Sequence, residues 1–380
     1  MSIRHIHRAT LQTWLTSQAS LIDNRPAEDQ ELALLDLRSV EEFAKGHPFF
    51  GTNLPVAWLE RDVSRFVPRK SVRLVLVDGG DNAASAAAKL LDHFGYTDVN
   101  ILAGGTPAWN ADTANGLPTF DVPGIIYSQG IRDLRKTPSI DAETLKRHFD
   151  AKDNVVVIDT RTPAEFARAH VPHAVNLPGE EILYRFLDVV PDPKTHVIVS
   201  CAGLPRAIIG AQTLIDAGVT NPVSYLEDGT AGWTRASFAL AEGVVQHRPV
   251  SEPSRRFAEE RANALLKREN VPVASQDSVA SWLADSTNRS TYLLDVRSAE
   301  EYAASHAPAA ISAPGGQLLA VSHRTLATRG ARLVLVDDDG TRAITTAYWL
   351  RQRGWEVHLL KGATGTAKHT SRVEEPVAAL

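Results

Sequence analysis

The sequence predicts an α/β protein of three tandem modules, each a parallel sheet covered by helices on both faces. Three observations predict it. The stretches LLDLRSVEEFAKGH, VIDTRTPAEFARAH and LLDVRSAEEYAASH, starting at Leu34, Val157 and Leu293, are one unit written three times, and self-similarity of this kind marks a repeat architecture. A second apolar run follows each copy at a constant distance and ends at Asp78, Cys201 and Asp337, forty-two residues after Asp36, Asp159 and Asp295. The runs are short and continuous rather than alternating, as in strands buried on both faces by crossover helices. A chain of 380 residues is also longer than one hydrophobic core usually serves.

Within each module the first strand ends in an Asp-x-Arg triplet: Asp36 and Arg38, Asp159 and Arg161, Asp295 and Arg297. A short acidic-aromatic helix follows and closes on His47, His170 or His306. The second strand, RLVLVD, HVIVSC or RLVLVD, leads through a loop into a helix whose apolar positions in the middle copy are Ile208, Ala211, Leu214 and Ile215. Gly95, Gly218 and Gly354 stand where those helices need a left-handed C-cap. The last strands are read in VNILAGG, VSYLEDG and VHLLKG. Module borders are expected in the proline-bearing stretches GLPTFDVPG and QHRPVSEPSRRF, where few contacts should cross; this gives modules 1–124, 125–255 and 256–380. The tail KHTSRVEEPVAAL lacks the tryptophan that closes the first two modules. The third module therefore reads as incomplete, or the natural chain as continuing past Leu380.

The net charge of −5, without basic runs, argues against nucleic acid and anionic membrane surfaces as partners. The N-terminus has no signal-peptide pattern, and no run of about 18 apolar residues occurs, so a cytoplasmic location is expected. His5 to His7 read as a short mobile terminus rather than a ligand set. A single cysteine excludes an intrachain disulfide framework and a cysteine-rich metal site.

That cysteine, Cys201, sits in SCAGLPRAIIGAQ. Free cysteines commonly act as small buried hydrophobes, so its position must argue for more. A strand end meeting a helix start is where ligands of open α/β sheets gather. Backbone amides and the helix dipole there stabilise an anion, and a thiolate is one. The reading places the Cys201 pKa below the ordinary value of about 8.5, with Arg206 folding back to complete the cradle. Gly203 allows close backbone approach, and Pro205 stiffens the loop before a helix beginning at Arg206. Ala202, Leu204 and Ala207 complete the candidate binding loop.

CAGLPRA, preceded by DTRTPAEFARAHVPHAVNLP and followed by LEDGTAGW, resembles the rhodanese (thiosulfate sulfurtransferase) family. The matching residues are Asp159, Arg161, Glu165, Phe166, His170, Pro172, Ala174, Asn176, Pro178, the loop Cys201 to Ala207, Gly229 and Trp233. The resemblance implies that Cys201 takes sulfur from thiosulfate or a persulfide donor and passes it to cyanide or a thiol, with Arg206 as clamp and with no metal or organic cofactor. Arg185 is a candidate contact for the donor's sulfonate. Asp159, Arg161 and His170 read as structural because they recur in modules without the cysteine, and Trp109 and Trp233 read as packing. Two departures bear on the donor: Gly203 lies one position earlier than is common, and Ala202 stands where thiosulfate-preferring members often carry a base. The outer modules read as inactive, the first with Asp78 and Ala83 in place of Cys201 and Arg206, the third with Asp337 but a retained Arg342. Two rivals stand beside this reading. A Cys-dependent phosphatase or arsenate reductase usually has one residue more between cysteine and arginine, and a non-catalytic sulfane-sensing scaffold would account for two dead loops.

Overall fold

The computed structural model describes residues 3–16, 31–110, 116–244, 249–285 and 287–360. The tail, on which the expectation of an incomplete third module rested, lies outside the described residues. The three parallel sheets are present. The first runs Arg4–Ile6, Val99–Leu102, Arg73–Val77, Leu32–Asp36, with Thr52–Asn53 beside the upper half of the last strand. The second runs Ser139–Ile140, Val223–Leu226, His196–Ser200, Val155–Asp159, Val175–Asn176, and the third Ile311–Ser312, Thr291–Asp295, Arg332–Val336, Glu356–Leu359. Central strands such as Leu32–Asp36 and Thr291–Asp295 are buried at every residue, which is why their sequences do not alternate. Register places Asp159 opposite Ser200, so the Asp-x-Arg loop and the Cys201 loop leave the sheet side by side. Gly95, Gly218 and Gly354 have φ of 87°, 75° and 82°, as left-handed helix caps do.

Four expectations need correction. His5 to His7 are not a loose end: Arg4–Ile6 pairs in parallel with Asn100–Leu102. The helix after Cys201 spans Pro205–Asp216, so Pro205 is its first residue, where a missing amide hydrogen costs nothing. The first sheet is not purely parallel, because Thr328–Arg329 of the third module pairs antiparallel with Leu32 and Ala33. The borders at 124 and 255 cut helices Val122–Arg135 and Glu252–Glu269. Pro123 and Pro253 start these helices instead of marking linkers. Val122–Arg135 packs on Pro205–Asp216, Glu252–Glu269 packs on Thr341–Gln352, and one apolar core continues from Tyr127 to Leu359 through the middle and third modules. Among the described residues no helix is long and apolar enough to cross a membrane.

Polar ties cross the module interfaces. Glu31 accepts from the amide (2.7 Å) and hydroxyl (2.8 Å) of Ser290, and the hydroxyls of Tyr292 and Thr52 donate to the carbonyls of Phe66 and His323. Glu180 accepts from the Gly316 amide at 2.9 Å, in a contact so close that a Cβ on Gly179 would lie 3.0 Å from the Gly316 Cα. Burial, with the charge of Glu181 beside it, raises the Glu180 pKa to about 7. A carboxyl with a raised folded pKa costs stability once both states ionise. The cost is absent below the unfolded pKa, grows as pH rises through the interval up to about 7, and is full above it. Glu180→Gln is therefore expected to stabilise the protein by about 1 to 3 kcal/mol at pH 8, with the gain vanishing near pH 4. Denaturant unfolding at both pH values checks this, and a gain independent of pH contradicts it.

Candidate active site

The strand His196–Ser200 delivers Cys201 to a loop fixed from the opposite side. The amides of Thr230 and Ala231, at the start of helix Gly229–Arg235, donate to the carbonyls of Cys201 (2.9 Å) and Ala202 (3.3 Å). Gly229 has φ +52°, and a Cβ there would lie 2.0 Å from the Cys201 carbonyl oxygen, so only glycine permits this approach. The first module repeats the device with Gly105, whose Cβ would lie 2.5 Å from the Asp78 carbonyl oxygen.

Cys201 is 1% exposed. The sequence-based expectation of a lowered thiol pKa is overturned: burial raises it, and the opposing Arg206 charge and the amides of Gly203 and Ala207 do not compensate. The helix-start argument omitted the desolvation of the thiolate, which here is the larger effect. Alkylation of Cys201 by iodoacetamide should accordingly accelerate with pH to a midpoint above the ordinary thiol value of about 8.5. Intact-mass kinetics read this from the lone thiol, and a midpoint below about 7.5 contradicts it.

Arg206 is held by a carboxylate. Its Nη1 and Nη2 donate to Glu165 Oε2 and Oε1, both at 2.7 Å, while its charge still favours the thiolate. Glu165 in turn closes a capping box with Thr162 at the start of helix Pro163–Arg168. Burial alone would raise the Glu165 carboxyl, but Arg206 and Thr162 outweigh it and bring it down to about 2. Arg206 is thus half of an ion pair, with Glu165 as a member that the reading of the sequence had not assigned to the site. A signal for it existed, since Glu42, Glu165 and Glu301 each lie six residues after the module's aspartate.

Arg185 is half-buried and donates to Glu181 at 2.6 Å, on the side of the module that faces the third. Asp159 and Arg161 form a bidentate pair under the loop, and Arg161 also holds the Ala169 carbonyl at 2.6 Å. His170 stacks on Phe166 with centroids 3.8 Å apart. The same pair and stack recur at Asp36, Arg38, His47 and Phe43, and at Asp295, Arg297, His306 and Tyr302. Trp233 is buried against Phe149 and Phe238, and Trp109 lies in the first module's core.

The two cysteine-free loops fill the same cradle from within. Asp78 accepts from the amides of Gly80 (2.9 Å) and Ala84 (3.0 Å), two and six residues on, as Gly203 and Ala207 stand to Cys201. Asp337 accepts from Gly340, Arg342 and Ala343 at 2.7, 2.9 and 3.0 Å. Burial raises its pKa to about 6 despite those bonds. Arg342 is held by Glu301, Asp338 and, across the module interface, Glu181, at 2.6, 2.7 and 2.8 Å.

Residues 17–112, 141–236 and 276–364 each match the Rhodanese-like domain family. The chain belongs to that family. It is similar to the crystal structure of a thiosulfate sulfurtransferase from Pseudomonas aeruginosa, with 38% identity and a TM-score of 0.83 over 94% of this chain and 66% of that one. A sulfurtransferase of Allochromatium vinosum is 30% identical over 96 residues, 25% of this chain and 87% of its own length. The centrosomal protein of 41 kDa from Xenopus tropicalis is 27% identical over 149 residues. The chain spans 40% of the centrosomal protein's length and 66% of the Pseudomonas structure's. It is thus a rhodanese-fold homologue of sulfurtransferases, carrying three rhodanese modules.

Proposed function

We propose that this rhodanese protein transfers sulfane sulfur through a persulfide on Cys201, taking it from thiosulfate or a related donor and giving it to a thiol or cyanide. The observation that carries this is the shared cradle: the amide positions directed at the Cys201 sulfur hold a carboxylate in the first module, so the loop geometry accommodates an anion. The thiol loses its proton to solvent, and the thiolate attacks the outer sulfur of thiosulfate. A new S–S bond forms as the S–SO3 bond breaks, and sulfite leaves with its electron pair. The acceptor then attacks the terminal sulfur of the persulfide and releases the Cys201 thiolate. Two half-reactions through one covalent intermediate imply ping-pong kinetics. Cys201, Arg206 and the amides of the loop Ala202 to Ala207 serve the chemistry, and Asp159, Arg161 and His170 hold the loop. Four residues between cysteine and arginine, with Glu165 neutralising the arginine, favour a sulfur over a phosphoryl group. No metal or organic cofactor enters this scheme, and a cytoplasmic location fits it. Intact mass spectrometry after thiosulfate tests it. The wild type is expected to gain about 32 Da, one sulfur, and to lose it to cyanide. No gain at any pH up to the thiol's own pKa overturns the proposal.

A further inference from the structure

An anionic donor needs a positive charge that the site has not already neutralised. Arg206 is paired with Glu165, and Arg185 with Glu181. A small cavity beside the catalytic loop marks where the third module approaches it. Pro205 and Arg206 form one wall, and Leu319 and Ala320, from helix Gly315–Ala320 of the third module, form another. Two residues beyond Ala320 the chain enters the 3-10 segment Ser322–Arg324. This segment is fixed from three sides. Thr52 of the first module donates to the His323 carbonyl, His323 packs against His47 with ring centroids 5.4 Å apart, and its Nδ1 lies 3.9 Å from Asp121, which precedes helix Val122–Arg135. Arg324 at its end is solvent-exposed. Desolvation lowers its pKa, Glu165 and Asp121 attract its charge and Arg206 repels it, yet its side chain makes no hydrogen bond or ion pair within 4 Å among the described residues.

We propose that Arg324, supplied by the third module, is the donor-recognition cation of the Cys201 site: it attracts and orients the anionic end of the sulfur donor beside the Glu165–Arg206 pair. Among its charged neighbours Glu165 is already paired with Arg206, and burial lowers the pKa values of His47 and His323 and raises that of Asp121. The third module, catalytically silent in its own loop, thereby sets the selectivity of the middle one.

The inference rests on the reading of Cys201 as the reactive thiol for an anionic donor, and its test does not use sulfur transfer. Alkylation rates of the lone thiol by iodoacetate and by iodoacetamide, at equal pH and low salt, give a ratio that reports charge recognition alone. Arg324→Gln is expected to lower that ratio roughly three- to tenfold, the range for one charge at a solvent-exposed rim. Arg324→Lys should restore most of it, and about 1 M salt, with a Debye length near 3 Å, should erase the difference. An unchanged ratio in Arg324→Gln overturns the proposal, as does an equal loss of both rates that lysine fails to rescue, since that marks a structural role. A shifted ratio in a protein that takes up no sulfur sustains this inference and sinks the proposed function alone.

Discussion

Cys201→Ser is expected to abolish sulfur uptake from thiosulfate, with neither added mass nor turnover above the uncatalysed rate. Both half-reactions pass through one sulfur atom, and this chain holds no second cysteine to resolve or replace it. Serine is nearly isosteric with cysteine. In the 1%-exposed pocket its hydroxyl oxygen can accept from the Gly203 and Ala207 amides that face the thiol, so the fold should survive with a loss of about 1 kcal/mol. A circular dichroism melt alongside the mass measurement separates lost chemistry from lost structure. Substantial turnover in a folded Cys201→Ser protein would overturn the mechanism and move weight to a scaffold reading of the three modules.

Arg342→Met should be the most destabilising change, about 3 to 5 kcal/mol, because it removes a buried cation and leaves the buried Glu181 carboxylate facing the partly exposed Glu301 and Asp338. Arg342 is fully buried, lies over the Tyr184 ring at 4.4 Å and answers Glu181, Glu301 and Asp338 together. Glu181 belongs to the middle module, so the damage should reach the joint between the two modules. Denaturant titration is expected to show the middle and third modules losing stability together. Adding Glu181→Gln to Arg342→Met should recover part of the loss by removing one orphaned carboxylate. A loss under about 1 kcal/mol, typical of exposed pairs, would mean that the cluster is hydrated and that Arg342 does not tie the modules.

The modules and their strand-loop-helix order were legible in the sequence because the aspartate, the loop residue and the capping glycine recur at fixed intervals. Each is fixed by local geometry: a strand end, a turn, a left-handed cap. Cys201 was legible because it interrupts this repeat with a nucleophile where the outer copies place Asp78 and Asp337. What was not legible depends on the third dimension. The Arg206–Glu165 pair joins residues forty-one positions apart, and the direction of the Cys201 pKa depends on how much of the loop is shielded from water. A helix-start argument counts favourable dipoles and not the solvent that is lost. The two-residue strand Thr328–Arg329 has no periodicity to detect, and Pro123 and Pro253 read equally as linker or helix start until their partners are seen.

The pairing of Thr328–Arg329 with Leu32 and Ala33 also governs how the chain comes off the ribosome. The partners are about 300 residues apart, a contact of very high sequence separation. At about 5 to 20 residues per second, Leu32 and Ala33 wait roughly 15 to 60 s for their partner to be synthesised. Through that interval the lower half of this strand offers unpaired amides and carbonyls along a buried, apolar edge, a template for pairing with another chain. Fragments that stop short of Thr328 hold that edge open permanently. They are expected to self-associate, however complete the first two modules are in themselves.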